Sequence, residues 1–247
     1  MSAAGSAAII VPARNEAERI GACLTAARAA AEAAPVPTEI IVVADGCHDA
    51  TATIAAAHGV TVLRTDVANA SVARALGSAC AAPEPDHGVW LAHTDADSLV
   101  PETWLVRQLE HAARGYDLVV GTVEVDDWTE WPAGLRERYL HLYESSLRRG
   151  IPHVHGANIG ISAWAYHRLG GFPAIPIGED RALVTAAEAA GLAVAYPTDP
   201  PVRTSGRRHA RVIGGGFHTF LAHLADGLTA ATAPTIPGGP HDLNQVV

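Results

Sequence analysis

Lysine is absent from the chain, and all seventeen basic residues are arginine. That absence excludes a Walker A loop, a pyridoxal-phosphate Schiff base and any lysine nucleophile or base. Cysteine is scarce too. Cys23, Cys47 and Cys80 are odd in number, widely spaced and without a C-x-x-C pair. They read as buried thiols in a reducing compartment, neither a zinc site nor a disulfide framework. No apolar run reaches the ~18 residues of a membrane span, because Arg, Glu and His interrupt the alanine-rich stretches. The apolar stretch that ends before Arg14 has no basic start and is short for a signal peptide. A soluble, cytoplasmic protein is expected. Positive charge is also in deficit, and a net charge of −9 argues against a sequence-independent nucleic-acid binder. It leaves room for a local arginine cluster that holds a small anion. What remains is 247 residues, 49% hydrophobic and 17% charged, enough for a globular domain with an ample core.

The first half alternates short apolar runs with helical patterns. Strands are predicted over residues 7–11, 39–43, 60–64 and 89–93, and helices over 16–33, 49–57, 70–81 and 101–114. Pro101 suits the first turn of the last helix, where its missing N–H costs nothing. Continuous apolar strands between helices imply an α/β fold, with a mostly parallel central sheet covered by helices on both faces. The second half is less regular. Residues 118–125 alternate as a half-exposed strand would, 131–149 and 179–190 read as helices, and 157–162 and 192–196 as strands. Phe217, Phe220, Leu221, Leu224 and Leu228 have helical spacing and one apolar face. That face suits a core, a homodimer seam or a membrane-surface contact. With no internal repeat or composition break, residues 1–230 read as one domain and 231–247 as a loose tail.

Chemistry concentrates at Asp95-Ala96-Asp97, immediately after the fourth predicted strand. Hard cations such as Mg²⁺ and Mn²⁺ prefer oxygen ligands and retain open positions for phosphate oxygens. Asp pairs also populate turns and caps, so the triplet alone is weak. Ligands of parallel α/β sheets bind beyond the carboxyl ends of the strands, and further motifs lie at those ends. They are Pro12-Ala13-Arg14-Asn15-Glu16, Ala44-Asp45-Gly46, Arg74-Ala75-Leu76-Gly77 and Gly178-Glu179-Asp180.

This ordered series resembles the family 2 glycosyltransferases of the GT-A, Rossmann-like fold, over roughly residues 7–215. The resemblance implies a nucleotide-diphosphate sugar donor, expected to be UDP-linked, a Mn²⁺ or Mg²⁺ cofactor and a small-molecule acceptor. It implies a nucleotide-sugar and metal half over about residues 1–115 and an acceptor half over about 116–230. Pro12, Arg14, Asn15 and Glu16 would form the first nucleotide loop. Asp45 would face the base, Arg74 would help hold the nucleotide, and Asp97 would ligate the metal directly, with Asp95 as the partner near the ribose or a metal-bound water. Asp180 matches the general base of an inverting transfer, with Glu179 as the fallback. Gly156, Ala157 and Asn158 would floor the donor-sugar and acceptor pocket. Departures are visible: Ala44 stands where a second acid is usual, Ala75 where Asn is common, and Thr185 and Ala186 where an Arg often follows.

Four arginines in the nine residues 203–211 stand beside a glycine run. Arg207, Arg208 and Arg211 fit a loop closing on a diphosphate, or a solvated basic patch. His209 or His218 would supply a further metal ligand, or be structural. Trp128, Trp131 and Trp164 suit stacking on a sugar or plain core packing. Two rivals remain. One is a retaining enzyme resembling glucosyl-3-phosphoglycerate synthases, and the other a non-catalytic nucleotide-sugar-binding protein. A sugar-1-phosphate nucleotidyltransferase would need a glycine-rich N-terminal loop and lysines, which are missing.

Overall fold

The computed structural model describes residues 4–208 and 216–231. Along the chain, β1 (Ser6–Ala13), β2 (Thr38–Asp45), β3 (Thr61–Thr65) and β4 (Val89–His93) alternate with α1 (Ile20–Ala33), α2 (Thr51–Ala57) and α3 (Ala70–Ala81). Then come β5 (Ser98–Leu99), α4 (Trp104–Ala113), β6 (Leu118–Val120), β7 (Val123–Val125) and α5 (Leu135–Arg148). A 3-10 turn (Gly156–Asn158) leads into β8 (Ile159–Ser162), α6 (Ala163–Arg168) and α7 (Glu179–Ala189). The last elements are β9 (Val194–Ala195), β10 (Val202–Thr204) and α8 (Phe217–Ala231). The chain forms two compact units. One is Met1–Glu124 with Val154–Thr204, and the other is Val125–His153 with Ser205–Val247.

The first unit is built on a seven-stranded sheet in the order β3-β2-β1-β4-β8-β6-β9. β3, β2, β1 and β4 run parallel, β8 runs antiparallel to both β4 and β6, and β9 is parallel to β6. The expected α/β class and mostly parallel sheet are therefore present. Central β1 explains its own apolar run. Ile9 and Val11 pack into one cluster with Leu24, Val42 and Trp104, while Ile10 enters another with Leu91, Ile159 and Ile161. A strand buried on both faces needs continuous hydrophobicity rather than alternation.

In the second unit, α5 and α8 enclose Trp131, Leu135, Tyr139, Tyr143, Phe220, Leu221 and Leu224. Of the three readings of the α8 face, core packing holds for Phe220, Leu221 and Leu224; the Leu228 side chain lies outside the described ones. No helix among the described residues is long and apolar enough to cross a membrane.

Some expectations need correction. α1 starts at Ile20 rather than residue 16, with residues 17–19 in turns, and the Glu16 and Ala17 N–H groups donate to Thr51 and Asp49. Residues 118–125 are two strands with all but Glu124 buried, interrupted where the Asn158 amide packs on Gly121 and donates to the Thr122 carbonyl at 2.8 Å. Of the three thiols expected to be buried only Cys23 is; Cys47 is half-buried and Cys80 exposed, and all three are free. β5, α6 and β10 were not foreseen; each is too short to impose a period on the sequence.

One glycine on β8 is fixed by packing alone. A Cβ on Gly160 would run into Gln108 Oε1 and stand 2.6 Å from Trp90 Nε1, two buried groups that hydrogen-bond each other at 2.9 Å. Gly160→Ala is expected to destabilise the protein by about 1–3 kcal/mol, the usual cost of overpacking a tight interior. The urea midpoint checks this, and an unchanged midpoint would refute the packing argument.

Candidate active site

At the carboxyl ends of β1 and β2 the two loops are stitched into one platform. The His48 N–H donates to Asn15 Oδ1 at 2.8 Å, Glu16 N–H to Thr51 Oγ1 at 2.7 Å, and Ala17 N–H to Asp49 Oδ2 at 3.0 Å. Asn15 takes a left-handed φ of 53°, a conformation Asn tolerates better than most residues. Glu16 is buried, while Pro12, Arg14 and Asn15 are half-buried. Asp49 and Thr51 were not foreseen as braces. Their D-x-T spacing is a capping pattern and was a usable signal.

Asp45 is 3% exposed and gathers the next loop. Its Oδ1 accepts the Val67 and Ala68 N–H groups at 2.9 and 2.8 Å, and its Oδ2 accepts Asn69 N–H at 2.6 Å. The carboxylate expected to meet a nucleotide base is thus engaged in shaping loop 66–69. Asn69 then caps α3, accepting from Ser71 and Val72 N–H. It also donates to the Ile175 carbonyl at 3.3 Å, and Ser71 Oγ donates to the Pro173 carbonyl. The start of α3 is thereby tied to the segment leading into Glu179 and Asp180.

Arg74, on the buried side of α3, draws the acidic motifs together. Its Nη2 pairs with Asp95 Oδ1, and its Nε lies 3.4 Å from Glu179 Oε1. Asp180 Oδ2 accepts the Gly156 N–H at 2.9 Å, and its Oδ1 accepts Arg181 N–H at 2.7 Å. Burial would lower the Arg74 pKa, but Asp95, Glu179 and Asp180 raise it on balance, so the cation is permanent. Burial pushes the Glu179 carboxyl above its ordinary range, opposed by Arg74. Burial does the same to Asp180, opposed by the Arg181 N–H, by Arg74 and by the Gly156 N–H. His93, fully buried on β4, is held well below the usual imidazole range by burial and then by Arg74. It stays neutral against Phe172, ring centroids 4.9 Å apart. Nothing in the sequence marked His93, since its position depends on tertiary packing.

Asp95 and Asp97 are half-buried with Ala96 buried between them. Their neighbour Cys23 donates to the Asp95 carbonyl at 3.3 Å. Burial pushes its thiol far up, and the carboxylates of Asp97, Asp95 and Glu16 push it further. The donor set fits a hard divalent ion: oxygen ligands only, with the Asp95 side chain 35% exposed. Among the described residues no three or more His, Cys, Asp or Glu side chains form a group that would hold an ion. The chain's share would be the acid pair, with the remaining positions left to water and phosphate, the habit of Mg²⁺ sites.

Other expected site residues sit elsewhere. Asn158 is 2% exposed, its amide engaged by Thr122 O and by Trp104 Nε1 at 2.8 Å. Ala157, next to it in sequence, is buried too. In the second unit, Arg208 lies over the Trp131 ring at 5.7 Å and its N–H donates to Glu130 Oε2 at 2.9 Å; Arg207 is half-buried nearby in sequence. Trp131 is buried and donates to the Gly206 carbonyl. Trp128 packs on Tyr139, and Trp164 stacks on His87 at 4.6 Å. His218 is half-buried on α8 beside Thr219. His209 and Arg211 lie outside the described residues.

The sequence model described as "Glycosyl transferase family 2" matches residues 8–169. No curated protein matches the chain. Among solved structures, a mannosyltransferase from Pyrobaculum calidifontis in complex with GDP-Man and Mn²⁺ is similar at 19% identity and TM-score 0.63, covering 94% of this chain and 65% of that one. S. aureus TarS in complex with UDP-GlcNAc gives 14% identity and TM-score 0.60, covering 86% and 62%. Glucosyl-3-phosphoglycerate synthase from Mycobacterium tuberculosis in complex with Mn²⁺ and UDP-Glc gives 18% and 0.55, covering 92% and 77%. The chain spans just under two thirds of the first of these neighbours. At such identities the likeness establishes a shared fold.

Proposed function

The chain belongs to glycosyl transferase family 2, and on that premise we propose that it transfers a hexose from a nucleotide-diphosphate sugar to a small acceptor. The observation that carries this reading is the Arg74 bridge, which joins Asp95 of the acid pair to Glu179, next to Asp180. Asp95 and Asp97 would hold Mg²⁺ or Mn²⁺, and the ion, when bound, neutralises charge on the leaving diphosphate. The platform of Arg14, Asn15 and Glu16, with loop 66–69 shaped by Asp45, receives the nucleotide. Asp180, held by the Gly156 N–H, takes the acceptor proton as the nucleophile attacks opposite the leaving group, so the anomeric centre inverts. Buried Ala157, half-buried Gly156 and inward-facing Asn158 keep the floor of that pocket rigid.

UDP-linked donors are favoured, and the solved neighbours with UDP-GlcNAc, UDP-Glc and GDP-Man define the set to test. A thermal-shift series with each donor, with and without Mn²⁺, is expected to raise Tm by about 5 °C or more for one nucleotide, only with the ion present. Slow donor hydrolysis by the same sample would separate an enzyme from a sugar-nucleotide-binding protein. Absence of any shift across the whole set would overturn the reading. An axial or equatorial product anomer, read by NMR, tells inversion from retention.

A further inference from the structure

A guanidinium is already paired with one member of the acid pair, Asp95. Arg74 is 3% exposed, yet its Nε and Nη1 have no hydrogen-bond partner, Nε meeting Glu179 only as an ion pair. Nη2 occupies one oxygen of Asp95. The charge is set against three carboxylates, those of Asp95, Glu179 and Asp180. Two features wedge it there. A Cβ on Gly156 would stand 2.6 Å from Nη2 and 3.1 Å from Cζ, its three nearest neighbours all being atoms of Arg74. Gly156 is not among the positive-φ glycines, so its missing side chain serves to admit the guanidinium rather than to permit a turn. On another side the Phe172 ring lies with its centroid 6.0 Å from Cζ.

We propose that Arg74 is a stand-in cation, which neutralises Asp95 in the free protein and makes divalent-ion binding depend on the nucleotide. The proposal rests on Asp95 and Asp97 being the ion's ligands. An ion arriving alone meets a carboxylate already paired and a fixed positive charge beside it, and both weaken its hold. A diphosphate reverses the balance. Its oxygens offer acceptors to the two guanidinium nitrogens that lack one, Nε and Nη1, a charge-assisted arrangement that arginine favours. Asp95 is then released to the ion. Ion and nucleotide bind together, and neither binds well alone.

The test is a titration of ligand-free protein with MnCl₂, free Mn²⁺ being read by electron paramagnetic resonance, repeated with UDP or GDP present. The parent is expected to bind Mn²⁺ weakly alone and at least about tenfold more tightly with the matching nucleotide. Arg74→Met should bind Mn²⁺ alone about tenfold more tightly than the parent and lose most of the nucleotide dependence. Arg74→Lys keeps the charge and should stay within a few-fold of the parent. A merely structural Arg74 would weaken Mn²⁺ binding in both variants, which would overturn the proposal. Should Arg74→Met not fold, Gly156→Ala decides: the added methyl displaces the guanidinium from Asp95 and should tighten binding of Mn²⁺ alone. Unchanged or weaker binding there sinks the idea. If the parent binds Mn²⁺ with nucleotide but Arg74→Met shows no gain, the stand-in fails and the acid pair survives. If the parent binds no Mn²⁺ even with nucleotide, the acid-pair assignment itself has failed.

Discussion

Asp97→Ala is expected to lower kcat/KM by at least about 10³-fold, equivalent to about 4 kcal/mol of transition-state stabilisation. The side chain lies in the turn after β4, half-buried, and its carboxylate acts on Cys23 together with those of Asp95 and Glu16. Alanine removes a hard oxygen donor from a set in which no third chelating side chain is grouped among the described residues. Asp95 alone, already paired to Arg74, is a poor substitute. One main-chain bond of the turn, from the Ser98 N–H to the Asp95 carbonyl at 3.0 Å, is untouched by the substitution. The expected pattern is an unchanged melting temperature without ligand, loss of Mn²⁺-dependent nucleotide binding, and loss of turnover. Full nucleotide affinity in the presence of Mn²⁺ would place the ion elsewhere.

Much of the fold was legible because its sheet is buried on both faces. The continuous apolar strand expected over residues 89–93 and the helix expected over 70–81 coincide with β4 and α3. Misreadings fall where tertiary contacts outbid local pattern. α1 begins four residues later than its periodicity suggested, after turns whose leading N–H groups donate to Thr51 and Asp49. The alternation over residues 118–125 suggested a half-exposed strand, but Asn158 breaks the ladder there. For the site, the sequence supplied the order of the motifs, and the fold adds their mutual orientation. Asp45 and Asn158 had the right chemistry for a ligand, yet their polar atoms engage the protein itself. Side-chain direction is a three-dimensional property, and no spacing rule reveals it. Arg74 illustrates the converse. The family resemblance gave it to the nucleotide and its sequence alone suited a solvated helix face, whereas it is buried with Asp95 and Glu179 as partners.

Asp180→Asn is the second large effect, an expected loss of about 10²–10⁴-fold in kcat with donor affinity kept within a few-fold. A base must lose its proton before it can accept another, and burial raises the Asp180 carboxyl above its usual range. The acid limb of kcat/KM should therefore lie at higher pH than for an exposed aspartate, activity falling as pH drops through that raised value. Asparagine keeps the volume but has one acceptor oxygen for two donors, the Gly156 and Arg181 N–H groups. Losing one of those bonds costs about 1 kcal/mol, roughly fivefold in rate if felt fully at the transition state, far short of the expected loss. A proton-transfer role and a purely structural role therefore separate by magnitude. Glu179→Gln supplies the contrast. It weakens the contact with Arg74 but leaves Asp180 in place, so kcat should fall much less and the acid limb should persist. A larger loss in Glu179→Gln than in Asp180→Asn would move the base by one residue, to the carboxylate that faces Arg74.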